Sequence, residues 1–514
     1  MLYTSTRESK VRVTAAQAIA QGISREGGLF VPESIPKFTP GELDVLARLD
    51  YIGRAEHILA KFLTEDGGST SSGWKREQVS QCARAAYESG FTSPAVAPVR
   101  PLPSQGGALS VLELFHGPTC AFKDLALQLL PYLLTASAAK TQQGKEIVIL
   151  VATSGDTGKA ALEGFRDVPG TRIMVFYPGD GVSAVQKLQM VTQEGGNVLV
   201  AGVSGNFDDA QSGIKEIFTD AALRETMAKT GRVFSSANSI NWGRLVPQIV
   251  YYVSAYCDLR NQKRLWPGEA VHFAVPTGNF GNILAGYFAK QMGLPIDKLI
   301  CASNRNRILA DFFATGRYDR NRPFFTTLSP SMDILISSNL ERLLWLATGG
   351  DCEKIAGWMK QLAATGTYEI PPELLAELNE TFIGGACNDT QTKNTIHQYY
   401  TRCGYLADTH TAVALRVLED YRNTTGDTAP AVVVSTASPY KFAASVLGAI
   451  TGNEPEGGDE FSAVVALEAL TGVPCPTPLK RLRDKAVRFT DNCSPWKMKE
   501  YVLEQLAGTQ LSAV

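Results

Sequence analysis

The 514 residues carry 49 Lys+Arg against 51 Asp+Glu, a formal net charge of −2, with 44% hydrophobic and 19% charged residues. That balance describes a globular chain long enough for two or three domains, and no run of either sign marks a nucleic-acid or membrane-surface partner. No apolar run is long enough to span a bilayer, and the five histidines and nine cysteines are dispersed without metal-ligand or disulfide spacing, so no metal, reduced thiols and a cytoplasmic setting are expected. The opening MLYTSTRESKV lacks a secretory apolar core, and a transit peptide is not expected because domain-like sequence begins almost at once.

Residues 1–95 read as an N-terminal, mostly helical domain. Its clearer helices cover 15–23 and 51–62, and the REGGLFVPE loop between them is expected to close over another part of the molecule. A proline-rich stretch over 92–105 marks a boundary, followed by a short strand at 108–114. From Glu146 strands alternate with helices: EIVILVAT, RIMVFYPG, NVLVAGV and RVFSSANS, then AVHFAVPTGN, KLICASN and AVVVSTASP. A single long helical stretch is expected from Asn206 to Lys229. The alternation predicts an α/β fold with parallel sheets covered on both faces. The expected division is a small α/β domain over 136–244 and a large one over 96–135 and 245–514, with a helical insertion at about 310–402.

The stretch HGPTCAFKDLALQLLPYLL predicts a helix from Asp124, with Lys123 in its first turn. The positive end of a helix dipole disfavours a cation, so an amine there gives up its proton more readily and can act as a nucleophile. The same residue also reads as a solvated cation whose stem covers apolar surface and which pairs with Asp124.

Four loops each follow a predicted strand and precede a helix, the edge at which parallel sheets bind ligands. TSGDTGKAA departs from a nucleotide-binding P-loop at Thr153 and Ala160, so ATP is not expected. Its Ser154, Asp156 and Thr157 suit either an anion such as a carboxylate or a plain helix cap. TGNFGNI offers Gly278, Asn279, Phe280, Gly281 and Asn282 as a phosphate cradle, or as an ordinary strand-to-helix turn. NSINWGRL presents Asn238, Ser239, Asn241 and Arg244 to an oxyanion, or caps a helix with Asn241 or Ser239. In STASPYKF, Thr436 suits a heterocyclic nitrogen, while Ser438 before Pro439 suits a helix cap. A lysine amine, a phosphate cradle and a ring-nitrogen partner on one sheet edge are what pyridoxal 5′-phosphate needs.

Taken in order, HGPTCAFKDLALQ, SGDTG, NSINWGRLVPQIVYY, VPTGNFGNILAGYFAKQMGLP, SPSMDILISSNLERLLW and STASPYKF, with STRE and REGGLFVPE at the start, resemble the threonine synthase family of the longer bacterial and fungal type. The resemblance runs from Tyr3 to beyond Phe442. It implies a fold-type II, tryptophan synthase β-like enzyme that uses pyridoxal 5′-phosphate to convert O-phosphohomoserine and water into threonine and phosphate, as a monomer or homodimer. A lyase of the same family releasing 2-oxobutyrate is the alternative, and a non-catalytic amino-acid or phosphate-binding protein a more distant one. By the resemblance, Lys123 bonds the cofactor aldehyde, Gly278 to Asn282 hold its phosphate and Thr436 meets its ring nitrogen. Ser154, Asp156 and Thr157 meet the substrate carboxylate, and Asn238, Ser239, Asn241 and Arg244 its phosphate. The chain departs from the family pattern at Cys120, Asn282, Ser331, Thr409 and Ser438, where Leu, Asp, Ala, Pro and His are common.

Overall fold

Every residue of the runs Glu146–Ala152 and Thr171–Pro178 is buried, which only a strand covered on both faces allows. The computed structural model describes residues 1–64, 73–104, 106–142, 144–153, 155–179, 182–205, 207–453 and 460–507. It contains two parallel sheets. One has six strands in the order Phe382–Ala386, Ile296–Ser303, Val271–Pro276, Ala431–Ser435, Leu109–Glu113 and Val99–Leu102, all parallel but the last pairing. The other has five, in the order Asn492–Cys493, Val198–Val203, Thr171–Pro178, Glu146–Ala152 and Arg232–Ser236, all parallel.

The helix Trp242–Asn261 is buried at every position from Trp242 to Cys257, a largely apolar stretch in which Arg244, Gln248 and Ser254 are the only charged, amide or aliphatic-hydroxyl side chains. At its start, Trp242 packs on Tyr3, Phe62 and Phe288 with ring centroids 5.4, 5.8 and 5.3 Å away. This joins the N-terminal segment to the core. Polar contacts repeat the join: Arg7 pairs with Glu341 at 2.7 Å, and Arg342 donates to Phe30 O, Asn339 Oδ1 and Ile240 O at 2.9, 2.5 and 2.6 Å.

The organisation departs from expectation in four places. Phe382–Ala386, in the stretch read as helical, is the outer strand of the six-stranded sheet. Its FIGGA sequence hides the signal, since Gly384 and Gly385 weaken any strand pattern. At Gly385 a Cβ would lie 2.4 Å from Val417 Cγ1, so the helix Thr409–Thr425 packs this close only over glycine. Asn492–Cys493 and the helix Met498–Ala507 return to the five-stranded sheet, so 245–514 does not belong wholly with the larger one. A strand of two residues leaves no periodicity to read. The N-terminal region adds to its helices a three-stranded antiparallel sheet of Val13–Thr14, Leu2–Ser5 and Phe30–Pro32. Finally, the expected long helix over 206–229 is two, Phe207–Thr219 and Ala221–Lys229, because Asp220 caps the second by accepting from Leu223 N at 2.8 Å; Asn206 lies outside the described residues.

Candidate active site

A cavity of about 850 Å³, counted with its open mouth, lies where the carboxyl ends of the two sheets face each other. Lys123, Thr153, Thr157, Asn238, Ser239, Arg244, Gly278 to Asn282 and Thr436 all line it. Its mixed lining, apolar side chains with a few convergent polar groups, suits a small-molecule site.

Lys123 reaches this cavity through a loop fixed on both sides. Asp124 accepts from Thr119 N and Oγ1 at 2.9 and 2.6 Å, while Phe122 N donates to Thr436 O at 2.8 Å and Ser438 N to Cys120 O at 3.0 Å. Asp124 is therefore not the partner of Lys123. Instead Lys123 Nζ donates to Ser331 Oγ at 3.3 Å and lies 3.6 Å from Asp156 Oδ2. Burial pulls Lys123 down to about 8; Asp156 opposes that pull, and Arg244 and Lys441 reinforce it. The expected dipole has little to act with, because the helix Lys123 heads is only Asp124–Leu127, the next beginning at Leu130. Desolvation, not the helix, is the cause.

The cradle is backbone held open from outside. A Cβ on Gly278 would stand 2.7 Å from Ser331 O, so only glycine permits the approach of the 329–333 turn. Gly278 O accepts from Ser337 Oγ at 2.7 Å, and Asn279 O from Asn339 N and Nδ2 at 3.1 and 2.9 Å. Phe280 turns to φ 63° and buries its ring 5.7 Å from that of Phe382. The helix Gly281–Met292 that follows has no side-chain cap, so its first N–H groups are available to an anion. Asn282 Oδ1 accepts from Tyr251 and Tyr252 hydroxyls at 2.6 and 2.8 Å, leaving its buried Nδ2 without a protein partner.

The remaining expected residues divide. Asn238, Ser239, Thr157 and Arg244 line the cavity, and the buried Arg244 keeps one bond, from Nη1 to Ala237 O at 2.9 Å, with its Nε unpartnered. Burial lowers Arg244 to about 10. Ser154 lies outside the described residues. Asn241 is not at the cavity: it caps the Trp242 helix by accepting from Gly243 N at 2.9 Å, and its amide donates to Ile19 O and Ser236 O. Asp156 is not placed to meet a carboxylate. It is itself an anion, bonded by Lys441 at 2.8 Å and Gln186 at 2.8 Å, and it does not line the cavity. The REGGLFVPE loop does not line it either, and supports the site from behind through Arg342.

Three participants escaped the sequence reading. Ser331 touches Lys123, and its N–H donates to His410 Nε2 at 3.2 Å. His410 Nδ1 in turn bonds Asp408 Oδ1 at 2.9 Å, which fixes the ring. Lys441 is fully buried beneath Asp156. SPSMDIL and STASPYKF carried two of them in plain view; ADTHTA, an acid two residues before a histidine, carried the third.

The residues present fit pyridoxal phosphate: a lysine amine of lowered basicity, a glycine cradle at an uncapped helix start with an orphaned buried amide beside it, and Thr436 on the same wall.

Comparison with known proteins gives the same reading. Three family models match: Threonine synthase N terminus over residues 2–72, Pyridoxal-phosphate dependent enzyme over 95–437, and Threonine synthase, C-terminal, over 411–494. The "Threonine synthase-like 1" of Macaca fascicularis is 40% identical over 443 residues, covering 85% of this chain and 58% of its own length, so the chain spans little more than half of that relative. The threonine synthase of Pseudomonas aeruginosa is 39% identical over 455 residues, with 88% of this chain and 92% of that protein covered. The crystal structure of pyridoxal-phosphate-bound threonine synthase from Brucella melitensis superposes with a TM-score of 0.82 at 37% identity, covering 98% of this chain and 99% of that one. The chain belongs to the threonine synthase family of pyridoxal-phosphate-dependent enzymes.

Proposed function

We propose that the chain is a threonine synthase, converting O-phosphohomoserine and water into threonine and phosphate. The observation that carries this is the pairing, in one cavity, of a weakly basic lysine with two anion-holding places, the glycine cradle and the unpartnered side of Arg244. One suits the cofactor phosphate and the other the phosphate of the substrate; an enzyme of an unphosphorylated amino acid has no use for the second.

Lys123 would hold the cofactor by its aldehyde, Gly278 to Asn282 by its phosphate, and Thr436 would receive its ring nitrogen. When bound, pyridoxal phosphate supplies an electron sink for charge developing at the substrate α-carbon. Lys123 Nζ, as a free amine beside the bound substrate, would take the proton from Cα. At about 8 its basicity is matched to that task near neutral pH. Arg244 with Asn238 and Ser239 holds the substrate phosphate and takes up its charge as the Cγ–O bond breaks. Thr157, with the N–H at the very start of the helix Asp156–Phe165, is left for the substrate carboxylate, Gly158 N being taken by Thr153 Oγ1.

The three-part domain division, amended as above, remains our reading, as does action as a monomer or homodimer. A cytoplasmic setting is supported by the nine cysteines, all of them unpaired. Among the described residues no helix is long and apolar enough to cross a membrane.

Product analysis with O-phosphohomoserine tests the proposal. Threonine and phosphate in equal amounts support it, whereas predominant 2-oxobutyrate makes the chain a phospho-lyase. A Lys123→Ala variant that keeps both the visible cofactor band and turnover would refute the role of Lys123, and a wild-type protein that binds the cofactor without turning over O-phosphohomoserine would return the chain to a binding role.

A further inference from the structure

Lys441 has no part in the chemistry above, yet it is a lysine with no solvent exposure, held in the short 3-10 turn Pro439–Phe442 that follows the cavity-lining Thr436. Its ammonium donates to Asp156 Oδ1 at 2.8 Å and to Thr119 O at 3.0 Å. The other oxygen of the same carboxylate, Oδ2, faces Ser331 Oγ at 3.4 Å and Lys123 Nζ at 3.6 Å. One buried anion thus stands between two lysines, one on each oxygen.

The arrangement has a chemical consequence. A buried carboxylate with a single lysine beside it holds that lysine as an ammonium, because separating the pair leaves an uncompensated charge in a poor solvent for charge. An ammonium has no lone pair with which to bond an aldehyde or take a proton. We propose that Lys441 is a positioning residue for the reaction: by compensating Asp156 from the far side, it frees Lys123 to give up its proton.

The supporting details agree. Gln186 Nε2 donates to Asp156 Oδ1 at 2.8 Å, so Lys441 is helped in holding that oxygen. Burial alone would raise Asp156; the charges of Lys441 and then Lys123 outweigh it and hold the carboxyl far below the usual range. The other ionisable groups packed around the trio are Arg244 and His410 at the cavity, Cys120 in the loop before Lys123, Asp124 directly after it, and Lys159, which pairs with Glu163. None of these bonds Asp156.

The inference rests on Lys123 as the residue that bonds the cofactor, and its test reads that bond without turnover. Full-length protein stripped of cofactor is mixed with pyridoxal phosphate across pH 6–10, roughly the range in which a perturbed lysine titrates, and the rise of the visible band gives a rate whose pH midpoint reports the neutral amine. Lys441→Met removes the compensating charge and should raise the midpoint by about one pH unit or more. Asp156→Asn removes the attraction and should lower it, and the double variant, with neither charge, should return close to wild type. Lys441→Arg, which keeps the charge, should leave the midpoint in place. A Lys441→Met midpoint that stays or falls overturns the inference, as does a double variant that stays with the single. If Lys441→Met does not fold, an Asp156→Asn midpoint that fails to fall overturns it equally. Lys123→Ala run in parallel separates the two readings: a band retained there removes Lys123 as the cofactor residue and the inference with it, while a silent Lys123→Ala with an unmoved Lys441→Met condemns the inference alone.

Discussion

Asn241 offers the sharpest separation of a structural role from a binding one. Asn241→Ala deletes the cap accepted from Gly243 N at 2.9 Å and amide bonds to Ile19 O and Ser236 O at 3.0 and 2.9 Å, all from a side chain with no solvent exposure. The cap is worth about 1 kcal/mol and each buried carbonyl left without a donor costs about 1 kcal/mol more, so unfolding free energy should fall by about 3 kcal/mol. Asn241→Ser keeps a capping oxygen but not the amide, and should recover about 1 kcal/mol of that loss. Urea unfolding followed by tryptophan fluorescence gives the stabilities, and steady-state kinetics on O-phosphohomoserine gives KM at a temperature where both variants are folded. KM should stay within about twofold of wild type, since no ground-state contact is lost. A tenfold rise in KM with an unmoved urea curve would put Asn241 on the substrate and refute the reasoning.

Arg244→Leu should raise KM for the phosphorylated substrate on the order of 100-fold, the loss of a buried charged partner, and abolish competitive inhibition by inorganic phosphate; equal inhibition of both proteins refutes the assignment. In the wild type, cofactor incorporation should rise about tenfold per pH unit below 8 and level off above it, because Lys123, pulled down to about 8, reacts only as the neutral amine. A midpoint near the ordinary lysine value would show that burial does not act on it. Trp242→Ala empties the contact of Tyr3, Phe62 and Phe288 and should cost about 3–5 kcal/mol, read as a fall in Tm with the N-terminal segment loosened in hydrogen exchange.

What the amino-acid order discloses here is governed by distance along the chain. Strands such as Glu146–Ala152 are legible because burial on both faces demands an unbroken apolar run. The cradle and the Lys123 loop are legible because each is one contiguous stretch at a strand end, and the fold brings these stretches to one cavity. The environment of Asp156 is not legible, because its partners Gln186 and Ser331 come from 30 and 175 positions away, and only the topology brings them in. Asn241 shows a different limit. A helix-capping asparagine and a ligand-binding one carry the same letter in the same place, and only the direction of its amide, toward Ile19 and Ser236, decides between them.

The short pairing of Asn492–Cys493 with Val198–Val203 bears on how the protein is made. Synthesis runs from the N-terminus, so the strands through Arg232–Ser236 have all left the ribosome long before residue 492 exists. Throughout that interval the Gly202–Val203 end of the strand lacks its outer partner, and the apolar positions that the helix Met498–Ala507 later covers are open. An open edge of this kind recruits foreign strands. The late segment is thus the closing piece of the five-stranded sheet, and chaperone demand during translation should track how promptly it arrives.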